Sequence, residues 1–255
     1  MSVAEKLQII AENQQKVYEA GKAAGGDTEV AYNEGFDDGK QAEYDRFWDD
    51  FQQNGTRADY KYAFSGTGWT EETLKPKYPI VLVDKSSTTR SALGMFNYLA
   101  WSNGKKTVDM TEICKKIDMS QALSAQYMFQ MAYVENVTLD LSNVTTIYGM
   151  FAGNDGGYKN NITLTVSEKC TVYTNAFSYG SPITHLIFTD GSVIAANISL
   201  DRSNNLDDES IQSIINALQD RTGMGAMTVT FHTDVVAKLT DEQATTIMNK
   251  NWLIG

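Results

Sequence analysis

Two cysteines, two histidines and three prolines are all that the 255 residues contain, and each scarcity excludes something. Cys114 and Cys170 are too few for a disulfide scaffold or a structural zinc site. Both sit among apolar neighbours and read as small buried hydrophobes; a bridge requires the fold to bring neighbouring turns together. His185 and His232 lack H-x-x-x-H spacing and a third ligand, so they read as ordinary strand residues, with no metal and no cofactor expected. Positive charge is also short, at 21 Lys plus Arg against 32 Asp plus Glu, for a net charge of −11. A chain this acidic is repelled by phosphate backbones and anionic lipid, so neither a nucleic acid nor a membrane surface is an expected partner. No window approaches about eighteen consecutive apolar residues, so no membrane insertion is expected. The opening Met1 to Lys6 leads into a polar amphipathic stretch rather than an apolar signal region, and no signal peptide is expected.

The charge is unevenly spread. Residues 1–60 carry six Lys or Arg and thirteen Asp or Glu, so over half of the net charge lies in the first quarter of the chain. Val3, Leu7, Ile10 and Val17 fall on one stripe of a helix over residues 3–20, with Glu5, Lys6, Glu12, Asn13 and Lys16 opposite. Gly25 and Gly26 break it. A second helix is predicted over 29–52, with Tyr32, Phe36, Tyr44, Phe47, Trp48 and Phe51 on one side. So short a helix is stable only when its stripe is buried. Residues 1–53 therefore read as a helical attachment or oligomerisation segment, self-associating through Val3, Leu7, Ile10 and Val17 or docking on the same chain. Residues 54–90 read as an irregular connector, with Gly55, Gly66, Gly68, Pro76 and Pro79 around a short strand at Pro79–Val83.

A repeat follows. Four segments align on a phenylalanine: Gly94-Met95-Phe96, Tyr127-Met128-Phe129, Gly149-Met150-Phe151 and Asn175-Ala176-Phe177. Alternating strands lie between them, at 107–110, 137–141, 162–166 and 185–188, and 113–117 reads as one helical turn. One strand with one Met-Phe pair cannot bury its own apolar face, whereas stacked turns shield one another. Self-similarity in the twenties with one strand per unit predicts a leucine-rich-repeat solenoid over 91–205. Residues 206–255 read as an α/β cap. Ile211, Ile214, Ile215 and Leu218 mark a helix opened by Asp207 or Asp208 and ended at Gly223. A strand at Met227–Phe231 comes next, then a capping box Thr240-Asp241-Glu242-Gln243 before a last helix near 244–250, then a strand at Trp252–Ile254. The expected class is an α+β repeat: N-terminal helices, an irregular solenoid with a parallel sheet, and an α/β C-terminal cap.

Catalytic signatures are absent. There is no G-x-S-x-G, H-E-x-x-H, G-x-x-x-x-G-K-[ST] or G-x-G-x-x-G after a strand. Gly153 to Gly157 reads as a tight turn. Asp201, Ser203, Asn205 and Asp207 imitate alternating calcium ligands, but Leu206 and Gln212 stand where an EF-hand needs Gly and Glu. Nothing marks any two carboxylates as a glycosidase pair. Asn-x-Ser/Thr occurs at Asn54, Asn136, Asn143, Asn161 and Asn197, where Asn at repeat corners satisfies backbone groups and tolerates a left-handed backbone. Aromatic residues crowd the Phe columns and turns. Trp101, Tyr133, Tyr158 and Tyr179 are the candidate ligand-binding residues, with Trp101 and Tyr158 in exposed turn contexts suited to stacking on a sugar or protein.

Asp140-Leu141-Ser142-Asn143-Val144-Thr145 followed by Met150-Phe151 resembles the repeating unit of BspA-like leucine-rich repeats of bacterial surfaces. The stretches Ala4 to Asn13, Lys16 to Lys22 and Asp38 to Trp48 are similar to helical heads of proteins encoded in prophages of gut Firmicutes. The resemblance implies a non-enzymatic structural or recognition protein. The implied role is a tail- or baseplate-associated component of a phage or prophage that binds a bacterial surface, located in a virion assembled in the bacterial cytoplasm. Its implied partners are other virion or surface proteins and a cell-surface glycan or protein. A bacterial surface adhesin with such repeats is the alternative, and a carbohydrate-active enzyme a more distant one.

Overall fold

The computed structural model describes residues 64, 74, 80–83, 92–100, 106–153, 159–177 and 183–255. The chain divides into two units, Met1–Gln53 and Asn54–Gly255. The first lies outside the described residues, and with it the predicted helices and the self-association stripe Val3, Leu7, Ile10 and Val17.

Among the described residues the second unit has nine strands and four helices. The strands are β1 (Ile80–Val83), β2 (Val108–Asp109), β3 (Ile117–Gln121), β4 (Val134–Leu141), β5 (Lys159–Val166), β6 (Leu186–Phe188), β7 (Ile198–Leu200), β8 (Met227–Phe231) and β9 (Trp252–Ile254). The helices are α1 (Thr111–Cys114), α2 (Asp208–Ala217), α3 (Thr233–Val236) and α4 (Asp241–Asn249). Among the described residues all strand pairings are parallel, and they form three sheets ordered β1-β3, β2-β4-β5-β6 and β7-β8-β9.

This corrects the expected architecture. A leucine-rich-repeat solenoid with one parallel sheet is not what forms; the protein is α+β, with few helices and several small parallel sheets. The break after β6 has a physical cause in α2. Ser210 Oγ accepts from Leu186 N at 2.8 Å, and Ser213 Oγ accepts from Phe188 N at 2.8 Å while donating to Phe188 O at 3.0 Å. Two serine hydroxyls thus occupy the edge groups of β6 that another strand would take. An open sheet edge covered by a helix is a common way to end pairing.

The core is organised by phenylalanines. Phe64, Phe96, Phe129, Phe151 and Phe177 form a column with successive ring centroids 5.3, 5.2, 5.4 and 5.8 Å apart and interplanar angles of 18° or less. Phe188 ends it edge-on at 6.3 Å. Backbone bonds hold the same spacing: Phe64 N to Met95 O, Phe96 N to Met128 O, Phe129 N to Met150 O and Phe151 N to Ala176 O, all 2.8–2.9 Å. Two residues before the aligned phenylalanines the backbone is left-handed each time, at Gly94, Tyr127, Gly149 and Asn175, with φ of 55–59°. Gly and Asn adopt that region readily, whereas Tyr127 carries the steric cost of a Cβ there. The turn is tight because a Cβ on Gly149 would lie 2.6 Å from Tyr127 Cε1.

The C-terminal region is built from caps. Asp207 Oδ1 accepts from Ser210 N at 2.8 Å to open α2, which ends at Ala217 with Leu218 as its C-cap, short of the expected Gly223. Thr240 and Gln243 form a reciprocal capping box on α4. Lys250 Nζ donates to Ile215 O, Asn216 O and Leu218 O at 2.7–2.9 Å, so one cation closes the C-terminus of α2. Trp252 is buried and donates through Nε1 to Gln219 O at 2.8 Å.

Neither histidine is an ordinary strand residue. His185 precedes β6 and its Nδ1 lies 2.7 Å from Asp207 Oδ2; His232 is the N-cap of α3, accepting from Asp234 N. Cys114 and Cys170 are both free and buried. Among the described residues no helix is long and apolar enough to cross a membrane.

Candidate functional site

The four-stranded sheet presents an outward face of polar side chains on β4 and β5. In β4 and β5 the residues Val137, Leu139 and Leu141, and Ile162, Leu164 and Val166, are buried, while Thr138, Asp140, Thr163 and Thr165 point the other way. The parallel register sets Thr138 beside Thr163 and Asp140 beside Thr165. Alternation of this kind follows from the two-residue period of a strand with one solvated face.

The alternation is reset once in each strand, at the same level. Asn136 and Asn161 have φ of 57° and 51°, and pairing runs Glu135 to Asn160 and then Val137 to Ile162. Two residues rather than one therefore separate Val134 from Val137 and Lys159 from Ile162, and all four are buried. Asn is among the few side chains that tolerate this backbone. Asn161 Nδ2 donates to Asn136 Oδ1 at 3.0 Å, which joins the two kinks across the strands. These asparagines thus stand inside strands, not at the corners where the sequence pattern put them.

Above this face, between α1 and β6, lies an open groove of about 630 Å³. Its polar lining includes Asn136, Thr138, Asp140, Asn161, Thr163 and His185. Asp140 Oδ1 accepts from Ser142 N at 2.9 Å, so only its Oδ2 has no partner among the described residues. The hydroxyls of Thr138 and Thr163 also have none there, in contrast to Thr165 and Thr189, which bond each other at 2.8 Å. Lys115 at the rim is paired with Glu112, so that pair adds no net charge.

The flanking carboxylates are held ionised. Hydrogen bonds from the Thr111 side chain and backbone lower the Asp109 pKa. At Asp207 burial alone would raise the pKa, but hydrogen bonds from Ser210 and His185 outweigh it and hold the carboxyl below its ordinary value. Other ionisable groups are sealed in the core. Burial pushes the Cys114 thiol up to about 12 and Cys170 up to about 11, and it raises Tyr173 as well. Thiols so placed stay protonated and are poor nucleophiles. Burial lowers Lys159, at the start of β5, to about 7. Among the described residues no three His, Cys, Asp or Glu side chains gather as metal ligands.

Of the aromatic candidates, Trp101, Tyr158 and Tyr179 lie outside the described residues. Tyr133 is buried, 6% exposed, and presents no ring face for stacking. In the sequence the groove residues stood apart, as the alternating Val-Thr-Leu-Asp-Leu and Ile-Thr-Leu-Thr-Val runs, two Asn-x-Thr triplets, the 113–117 turn and the isolated His185. Their convergence depends on the register of β4 with β5.

No protein-family profile, curated protein or solved structure matches the chain.

Proposed function

We propose that this chain is a non-enzymatic structural and recognition protein, a tail- or baseplate-associated part of a phage or prophage that binds a bacterial surface. The observation that carries the recognition role is the polar outward face of β4 and β5, where Thr138, Thr163 and Asp140 Oδ2 have no partner among the described residues and border a groove. A face fixed by backbone ladders beneath it binds with little ordering cost. The virion assignment draws on the resemblance of the opening segments to prophage-encoded heads. Residues 1–53 would set the copy number through Val3, Leu7, Ile10 and Val17, so that weak contacts add to a firm grip. Other virion proteins are the assembly partners.

The test uses the full chain. Fluorescently labelled protein is mixed with a panel of bacterial strains, and light scattering gives its mass in solution. Retention on at least one strain by an oligomer is the expected result. A monomer that adheres to no strain ends the proposal.

A further inference from the structure

We propose that the groove over β4 and β5 is a binding site for an uncharged oligosaccharide segment. The proposal rests on the recognition reading above and names its ligand class and its site.

Three observations converge on that chemistry. The first is unspent hydrogen-bonding capacity in one place. The Thr138 and Thr163 hydroxyls, Asp140 Oδ2 and His185 Nε2 all border the groove without a partner among the described residues. Farther along the same sheet, Thr165 and Thr189 instead bond each other. A sugar ring presents hydroxyls that both donate and accept, which suits a row of Thr, Asn and carboxylate oxygens.

The second is orientation. Asn161 and Asn136 are bonded to each other at 3.0 Å, and the His185 ring is held by Asp207 at 2.7 Å. These planar groups are therefore locked before a ligand arrives. Preorganised polar groups give specificity without the entropy cost of ordering them.

The third is charge and shape. Among the residues lining the groove, Lys115 is paired with Glu112, which leaves the Asp140 carboxylate as the uncompensated formal charge. A phosphorylated or acidic polymer is disfavoured by that balance. A peptide needs apolar recesses for its side chains, whereas of the apolar residues lining this groove Leu139 is buried and Ile117 half-buried. A volume of about 630 Å³ lies within the range of small-molecule sites and suits a short stretch of a longer chain passing through an open groove.

The experiment uses the full chain and the cell-wall polysaccharide, freed of phosphate, of a strain the protein adheres to. Calorimetry should detect binding that changes little between about 0.05 and 0.5 M salt, because an uncharged ligand is not screened. Thr138→Trp, which fills the groove from an exposed position, should weaken affinity at least about tenfold, or 1.4 kcal/mol. Asp140→Asn combined with Thr163→Val removes the acceptor charge and one hydroxyl without added bulk, and should weaken it about threefold or more. Both variants should keep the wild-type melting temperature. Undiminished affinity in both variants overturns the groove assignment while the recognition role stands. Cell adhesion that survives periodate oxidation of vicinal diols but is lost in Thr138→Trp overturns the saccharide and points to a protein ligand. Adhesion to no strain by the wild type removes the recognition reading itself, and the groove proposal with it.

Discussion

The layers from Phe64 to Phe177 and the region from Asp207 to Gly255 solve one problem in opposite ways. In the first, the same few features recur: a left-handed residue two places before Phe96, Phe129, Phe151 and Phe177, and a backbone bond from Phe64, Phe96, Phe129 and Phe151 to the layer beside each. In the second, no aromatic column runs through, and helix ends are closed one by one by Asp207, Thr240, Gln243 and Lys250. The contrast shows that a short parallel pairing can be held by stacking beneath it or by capping around it. Stacking spreads stability over many equivalent positions; capping concentrates it in single polar atoms.

That contrast can be broken deliberately. Phe129→Ala should have the largest effect, a loss of about 3–5 kcal/mol by urea unfolding, since the ring is fully buried between Phe96 and Phe151. Gly149→Ala should cost about 2–4 kcal/mol, adding a left-handed penalty to the encounter with Tyr127. If both changes cost under 1 kcal/mol, the column is not what holds these layers.

Substitutions in the capped region should be milder. Asp207→Ala should cost about 1–2 kcal/mol, because it removes the N-cap of α2 and the partner of His185. The pH sign follows from the lowered carboxyl. Its contribution is complete above the unfolded carboxylate value near pH 4 and is lost as pH falls through the folded value. The gap between wild type and Asp207→Ala should therefore close in melts taken from pH 6 down to pH 3. Lys250→Met should cost about 1 kcal/mol, all of it from the end of α2, seen as faster amide exchange there.

A finer difference lies within the sheet. Lys159, buried with its pKa lowered to about 7, should make stability rise between about pH 7 and 8.5, because the unfolded chain holds that proton over this window and the folded one does not. The slope should approach about 1 kcal/mol per pH unit and vanish in Lys159→Met. An unchanged slope would show that Lys159 keeps its proton in the fold.

Much of the local structure was legible. Met227–Phe231 and Trp252–Ile254 were readable as strands from their composition, and Thr240 with Gln243 as a capping box from spacing, because those signals involve neighbours in the chain. The αL positions two residues before Phe96, Phe151 and Phe177 were marked by Gly94, Gly149 and Asn175; Tyr127 disguised the fourth. β3, β7 and α3 went unseen, being short elements of five, three and four residues without strong periodicity. The groove was not legible as a site. Thr138 and Thr163 are 25 positions apart, and only the β4–β5 register sets them side by side.

The chain by itself determined the alternation of its strands, the phenylalanine spacing and the caps of its C-terminal helices, all consequences of side-chain size, backbone tolerance and hydrogen bonds between near neighbours. Tertiary structure decided where the four-stranded sheet stops. That edge is set by Ser210 and Ser213 reaching β6, a meeting of atoms more than twenty residues apart that no local pattern records.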